Sequence, residues 1–150
     1  MPDRYDLSHK YILNPTYKAI RVDGAGNGHF GAPRSKIVKG QTVKYTHQGV
    51  DFLCEPGQDI RAPITGQLIR WAFPYIDDLR FEGLVVSNRM MSIKMLYVKP
   101  LQNSLNKIFN SGDLIGYAQD ITLRYPDTDM KPHIHIEIVS ISKNPENFII

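Results

Sequence analysis

From residue 33 to residue 116 the chain is cut every few positions by glycine or proline: Pro33, Gly40, Gly49, Pro56, Gly57, Pro63, Gly66, Pro74, Gly83, Pro100, Gly112 and Gly116. An amphipathic helix needs about ten uninterrupted residues, whereas a strand needs only about five. The pieces left between the breaks are rich in Val, Ile, Leu, Tyr and Phe, which favour strands. Residues 43–45, 50–54, 84–87, 92–98, 114–118 and 133–138 read as strands. Residues 60–64, a turn at Thr65-Gly66 and residues 67–71 read as a hairpin. Only residues 101–109 carry a weak helical pattern. Many short strands at close spacing predict a mainly β chain, a small antiparallel sandwich or barrel-like sheet.

The chain has 150 residues, enough for one domain that buries a core without disulfide staples. Residues 1–20, interrupted by Pro2 and Pro15, read as an irregular arm, and residues 21–150 as the domain. The arm is also a candidate cover for the site described below. No apolar stretch has the length of a membrane span, and residues 1–10 lack the apolar centre of a signal peptide. Cys54 is the only cysteine, which excludes an intrachain disulfide and a four-cysteine zinc site. It reads as a small buried hydrophobe. The net charge of +3 is a mild basic bias toward anionic surfaces. It comes without the Lys/Arg blocks and interleaved aromatics expected for nucleic acid.

Residues 23–34 hold four glycines, a density that signals positive φ or close backbone approach. They lack the Gly-Lys-Ser/Thr ending of a phosphate loop, and no helix is predicted after them.

Two clusters carry chemistry. In His133-Ile-His135-Ile-Glu137-Ile138, strand alternation puts His133, His135 and Glu137 on one face and the isoleucines on the other. The isoleucine face reads as core. Of two imidazoles on one strand, one can ligate a metal while the other acts on water. In His47-Gln-Gly-Val-Asp51, Gly49 permits a bend that lets His47 and Asp51 converge. His47, Asp51 and His135 together make two imidazoles and a carboxylate, the donor set of catalytic zinc with one position open. Glu137 reads as a carboxylate that orients an imidazole N–H.

These clusters lie within a longer series of motifs. Arg21-x-Asp23-x-x-Gly26-x-Gly28-x-Phe30-Gly31-Ala32-Pro33-Arg34 precedes the His47 cluster, which continues as Phe52-x-Cys54-x-Pro56-Gly57. Ala62-Pro63-x-x-Gly66, Pro74-Tyr75, Gly83, Tyr97-Val98-Lys99-Pro100, Gly112-Asp113-x-Ile115-Gly116 and Pro132-His133-Ile134-His135 follow. From about residue 21 to 138 the chain resembles the lysostaphin-type zinc metallopeptidases, and among them the leukocyte cell-derived chemotaxin branch. The resemblance implies one zinc ion held by His47, Asp51 and His135, with His133 acting in catalysis. It implies peptide bonds of bacterial peptidoglycan as the substrate class, with a target at a cell wall or outside the cell. The enzymes of the family carry a second catalytic histidine in a Tyr-x-His string, where this chain has Tyr97-Val98-Lys99. Strand parity would turn Tyr97 and Lys99 the same way, so both are candidates to replace it. The chemotaxin branch also lacks that histidine, which makes a zinc-binding recognition module for a peptide or glycan the alternative function. A structural zinc domain in a larger assembly is a third reading.

Overall fold

The structure, a computed structural model, describes residues 12–148. Thirteen strands dominate it: β1 (Val22–Asp23), β2 (Gly26–Asn27), β3 (Pro33–Val38), β4 (Gln41–Thr46), β5 (Val50–Leu53), β6 (Asp59–Arg61), β7 (Gly66–Ala72), β8 (Gly83–Ser87), β9 (Met91–Leu96), β10 (Val98–Pro100), β11 (Ile108–Phe109), β12 (Leu114–Ala118) and β13 (His133–Ile141). Short 3-10 turns cover Ile121–Arg124 and Pro145–Phe148. No helix among the described residues is long and apolar enough to cross a membrane.

A six-stranded antiparallel sheet runs in the order β11-β7-β8-β9-β13-β5, and a three-stranded sheet in the order β10-β12-β6. Neither closes into a barrel. Their facing side chains make one core: Leu68, Leu84, Val86, Ile93, Met95 and Ile134 come from the larger sheet, Ile60, Val98 and Ile115 from the smaller. The central strand β8, Gly-Leu-Val-Val-Ser, is buried along its first four residues. This explains a continuous apolar run in place of an alternating one. Gly83 opens that strand because a Cβ there would fall 2.0 Å from the Met95 carbonyl oxygen.

The arm differs from a detached segment over its described part. Leu53 N–H donates to the Ala19 carbonyl, Arg61 N–H to that of Pro15, and Leu13 N–H to that of Pro63. The rest of the candidate cover, residues 1–11, lies outside the described residues. Cys54 is buried within the core, and burial pushes its thiol up to about 12.

Three local expectations are corrected. Strands β6 and β7 do not form a hairpin. The turn between them carries the chain from the smaller sheet to the larger, where β6 pairs with β12 and β7 with β8. Residues 101–109 are not helical, since Asn103 and Asn106 take φ of 60° and 68°, which a right-handed helix cannot contain. Residues 33–46 form a full hairpin where only residues 43–45 read as a strand.

Candidate metal centre

Strands β5 and β13 lie side by side at the edge of the large sheet, with Asp51 directly opposite His135. Cross-strand partners present their side chains on one face, a few ångströms apart. His133 sits two residues earlier on β13 and shares that face. His47 arrives from outside the sheet. Its N–H donates to Ala32 and its carbonyl accepts from Gly31 N–H, which anchors it to the end of the glycine-rich segment. The turn through Gln48 and Gly49 then brings it over the strand pair. Position 49 must be glycine, because a Cβ would lie 2.2 Å from the Ile136 carbonyl oxygen and 2.7 Å from the His135 ring. Gly28 has the same role on the other flank, 2.7 Å from the Asp51 side chain.

The three side chains are buried and their ligand atoms lie within 4.8 Å of one another. His47 Nε2 is 3.0 Å from His135 Nδ1, His135 Nδ1 is 3.0 Å from Asp51 Oδ1, and His47 Nε2 is 3.3 Å from the same oxygen. Hydrogen-bond partners on the far side of each ring decide which nitrogen carries its hydrogen. His47 Nδ1 donates to the His29 carbonyl at 3.1 Å, and His135 Nε2 donates to Glu137 Oε1 at 2.9 Å. In the neutral rings, the two nitrogens that face each other are then both lone pairs, and both also face a carboxylate. Three acceptors in mutual contact repel unless a cation stands between them. In the absence of a metal ion a proton serves. Burial opposes charge on His135, but the hydrogen bonds with Asp51 and Glu137 prevail and raise its pKa. Burial likewise raises Asp51, and the bonds with His135 and His47 overcome it to hold that carboxyl well below the usual range. The Glu137 carboxyl is lowered by its bond to His135.

The other carboxylate oxygen, Asp51 Oδ2, faces Arg21 Nε at 3.3 Å and Arg34 at 3.9 Å. Arg21 is itself buried and fixed by Asp23 Oδ1 at 2.9 Å, while Asp23 Oδ2 accepts from Lys131 N–H at 2.9 Å. Arg21 therefore holds Asp51 so that Oδ1 points at His47 and His135. The sequence contains the Arg21-x-Asp23 pair in plain view, yet assigns it no function. Its signal is two opposite charges at strand spacing beside glycines that admit close packing.

His133 Nδ1 donates to the Lys131 carbonyl at 2.8 Å, leaving Nε2 as the lone pair, 3.7 Å from Asp51 Oδ2. Burial lowers its pKa despite the nearby carboxylate, so the ring is neutral near pH 7. The Tyr97 ring meets it edge-on, with centroids 5.6 Å apart. Tyr97 lies at the break between β9 and β10 with φ of 65°. Its hydroxyl is 3.3 Å from that of Tyr75, which is 2.9 Å from that of Tyr125. Arg124 stacks over Tyr75, 3.7 Å from the ring centre. Burial pushes the Tyr97 phenol up to about 12, so it remains a proton donor. The parity expected of Tyr97 and Lys99 does not survive this break. Lys99 is exposed on β10 in the smaller sheet, opposite Tyr117, while the Tyr97 ring packs against His133.

Leukocyte cell-derived chemotaxin-2 of Bos taurus is 32% identical to this chain over 123 residues, which cover 80% of the chain and 72% of that protein. The chain belongs to the leukocyte cell-derived chemotaxin-2 family. No protein-family model matches the chain. Two solved structures share the chain's fold. The catalytic domain of lysostaphin from Staphylococcus simulans superposes with a TM-score of 0.52 at 19% identity, over 81% of this chain and 89% of that one. A zinc-containing peptidase from Vibrio cholerae superposes with a TM-score of 0.57 at 23% identity, over 85% of this chain and 36% of that one. At such identities the likeness is one of fold. In chemistry, this chain has a group able to hold a metal, a histidine beside it and a tyrosine ring packed edge-on against that histidine.

Proposed function

We propose that this protein binds one zinc ion through His47 Nε2, Asp51 Oδ1 and His135 Nδ1 and hydrolyses peptide bonds in peptidoglycan. The observation that carries the zinc reading is the triangle of donor atoms, with edges of 3.0, 3.0 and 3.3 Å. Tetrahedral zinc with bonds of about 2.0–2.1 Å has ligand-to-ligand edges of about 3.3 Å. The triangle is one face of that tetrahedron, set slightly tight. The donors are of the right kind, and Glu137 and the His29 carbonyl orient the two rings from behind.

Zinc, when bound, supplies Lewis acidity toward water and a peptide carbonyl. The residues supply the rest. His133 presents an unprotonated Nε2 and takes a proton from the attacking water, then returns it to the leaving amine. The Lys131 carbonyl keeps the ring in that tautomer. Tyr97 buttresses the ring and offers its phenolic hydroxyl as a donor to the developing oxyanion. Arg21 keeps Asp51 Oδ1 turned toward His47 and His135.

One observation favours the second reading, a zinc-dependent recognition module that binds a peptide or glycan without cutting it. The position of the family's second histidine is Lys99, an exposed residue of the smaller sheet, and loss of one oxyanion donor costs about 10²–10³ in rate. Digestion of purified peptidoglycan separates the two. Under the first reading, zinc-loaded protein releases new amine termini, a chelated sample releases none, and His133→Ala is slower by about 10²–10⁴. Full zinc content with no release, or equal release by His133→Ala, contradicts the proposed hydrolysis.

A further inference from the structure

The β3–β4 hairpin stands apart from the rest of the molecule. Its two strands pack far more on each other than on any other strand, and every residue from 33 to 46 except Arg34 is exposed. The register is unbroken from Pro33↔Thr46 to Val38↔Gln41, and Lys39-Gly40 close it with φ of 50° and 78°. Both central residues left-handed is the two-residue turn that matches strand twist, so the shape is built and not accidental. Yet a two-stranded ribbon open on both faces is only marginally stable in water without a partner.

Its composition says what kind of partner. Residues 33–46 carry Arg34, Lys36, Lys39 and Lys44 and no acid, while the other 136 residues hold fourteen Lys/Arg against fifteen Asp/Glu. The whole net positive charge of the chain therefore sits on one projecting element. The turn is flanked by aliphatic side chains left in solvent, Ile37 at 78% exposure and Val38 at 42%. Val43 and Tyr45 extend the apolar surface along the face that Val38 shares, with Lys36 lying over the Tyr45 ring at 5.2 Å, while Ile37 projects from the opposite face.

We infer that the β3–β4 hairpin docks on an anionic phospholipid surface, with Ile37 and Val38 entering the headgroup layer and Lys36, Lys39 and Lys44 meeting lipid phosphates. A lipid surface uses both halves of this composition. It takes up apolar side chains at the acyl boundary and attracts each lysine near its surface. A soluble polyanion would leave Ile37 and Val38 in water. A second copy of the chain, paired along the open strand edges, would align four cations with four, the arrangement that lysines on edge strands exist to prevent. The base of the hairpin runs through Thr46 straight into His47. A docked tip would hold the metal centre about 20 Å above the lipid, the length of six extended residues.

The test is co-sedimentation of the full chain with phosphatidylcholine vesicles that contain or lack phosphatidylserine, in zinc-loaded and chelated protein. Two variants accompany it: Lys36→Gln/Lys39→Gln/Lys44→Gln, and Ile37→Ser/Val38→Ser. All five positions are exposed, and circular dichroism confirms that both variants fold. The parent binds the phosphatidylserine vesicles and not the neutral ones, with or without zinc. The triple lysine variant binds about a hundredfold more weakly, from roughly fivefold per lysine. The serine variant also loses affinity. No binding by the parent overturns the inference. So does full binding by the serine variant, or inorganic polyphosphate binding that matches the vesicles, either of which makes the hairpin a site for soluble polyanions.

Discussion

Asp51→Ala should lose zinc under conditions where the parent is saturated, with affinity lower by more than a hundredfold. Changes to residues that merely orient a ligand already cost about 10–100-fold, and Asp51 is the only carboxylate in the triangle. The substitution also acts on folding. The Asp51 and Arg21 side chains are 5% and 4% exposed, so alanine removes a fully enclosed partner from a fully enclosed cation. Breaking a buried pair from one side costs about 3–5 kcal/mol. Arg21 keeps Asp23 at 2.9 Å, which places the loss at the low end, about 3 kcal/mol. Competition with a chromophoric chelator reads the first effect, and urea unfolding of the metal-free protein reads the second. Undiminished zinc affinity would remove Asp51 from the ligand set.

Ile134→Ala is expected to destabilise the protein by about 2–5 kcal/mol, while Ile138→Ala stays within about 0.5 kcal/mol of the parent. Both isoleucines lie on β13 and alternate with the histidines. Ile134 is wholly buried in the core between the sheets, directly behind the metal centre. Ile138 is 44% exposed and lines an open cavity of about 550 Å³ together with Ile12, Val50, Ile93, Ile136 and Ile141. Thermal melts of the two variants check this, since each kcal/mol lowers Tm by about 2–4 °C in a domain of this size. Equal destabilisation would mean that the Ile138 end of the strand is covered.

That pair also marks how far the sequence could be read. Alternation on residues 133–138 identified the two faces of β13, and His133 and His135 do share one. It could not tell where the core ends along the other face, because that depends on which strands and loops lie against it. The register shift of β13 against β9 after Ile138 is part of that ending. The convergence of His47 with Asp51 was legible from Gly49. The structure shows the reason to be close approach to Ile136 and His135 and not a special φ. Arg21 was opaque because a charged residue in a glycine-rich motif reads as surface. Only the packing of Asp23, Gly28 and Lys131 around it makes it a buried support. The Tyr97–Lys99 parity failed for a local reason, one residue with positive φ between two strands of different sheets. The β6–β7 hairpin failed for a global one. A turn signal at Thr65-Gly66 says that the chain bends, not that the strands on either side pair.

The central claim is that two imidazoles and one carboxylate hold zinc in this chain. Zinc K-edge absorption of the protein loaded with one equivalent tests it directly. The account predicts only nitrogen and oxygen at about 2.0–2.1 Å, with the outer-shell scattering of two imidazoles, and loss of one imidazole in His135→Ala. A sulfur scatterer at about 2.3 Å would place the ion on Cys54, and an unchanged spectrum in His135→Ala would place it elsewhere; either result contradicts the account.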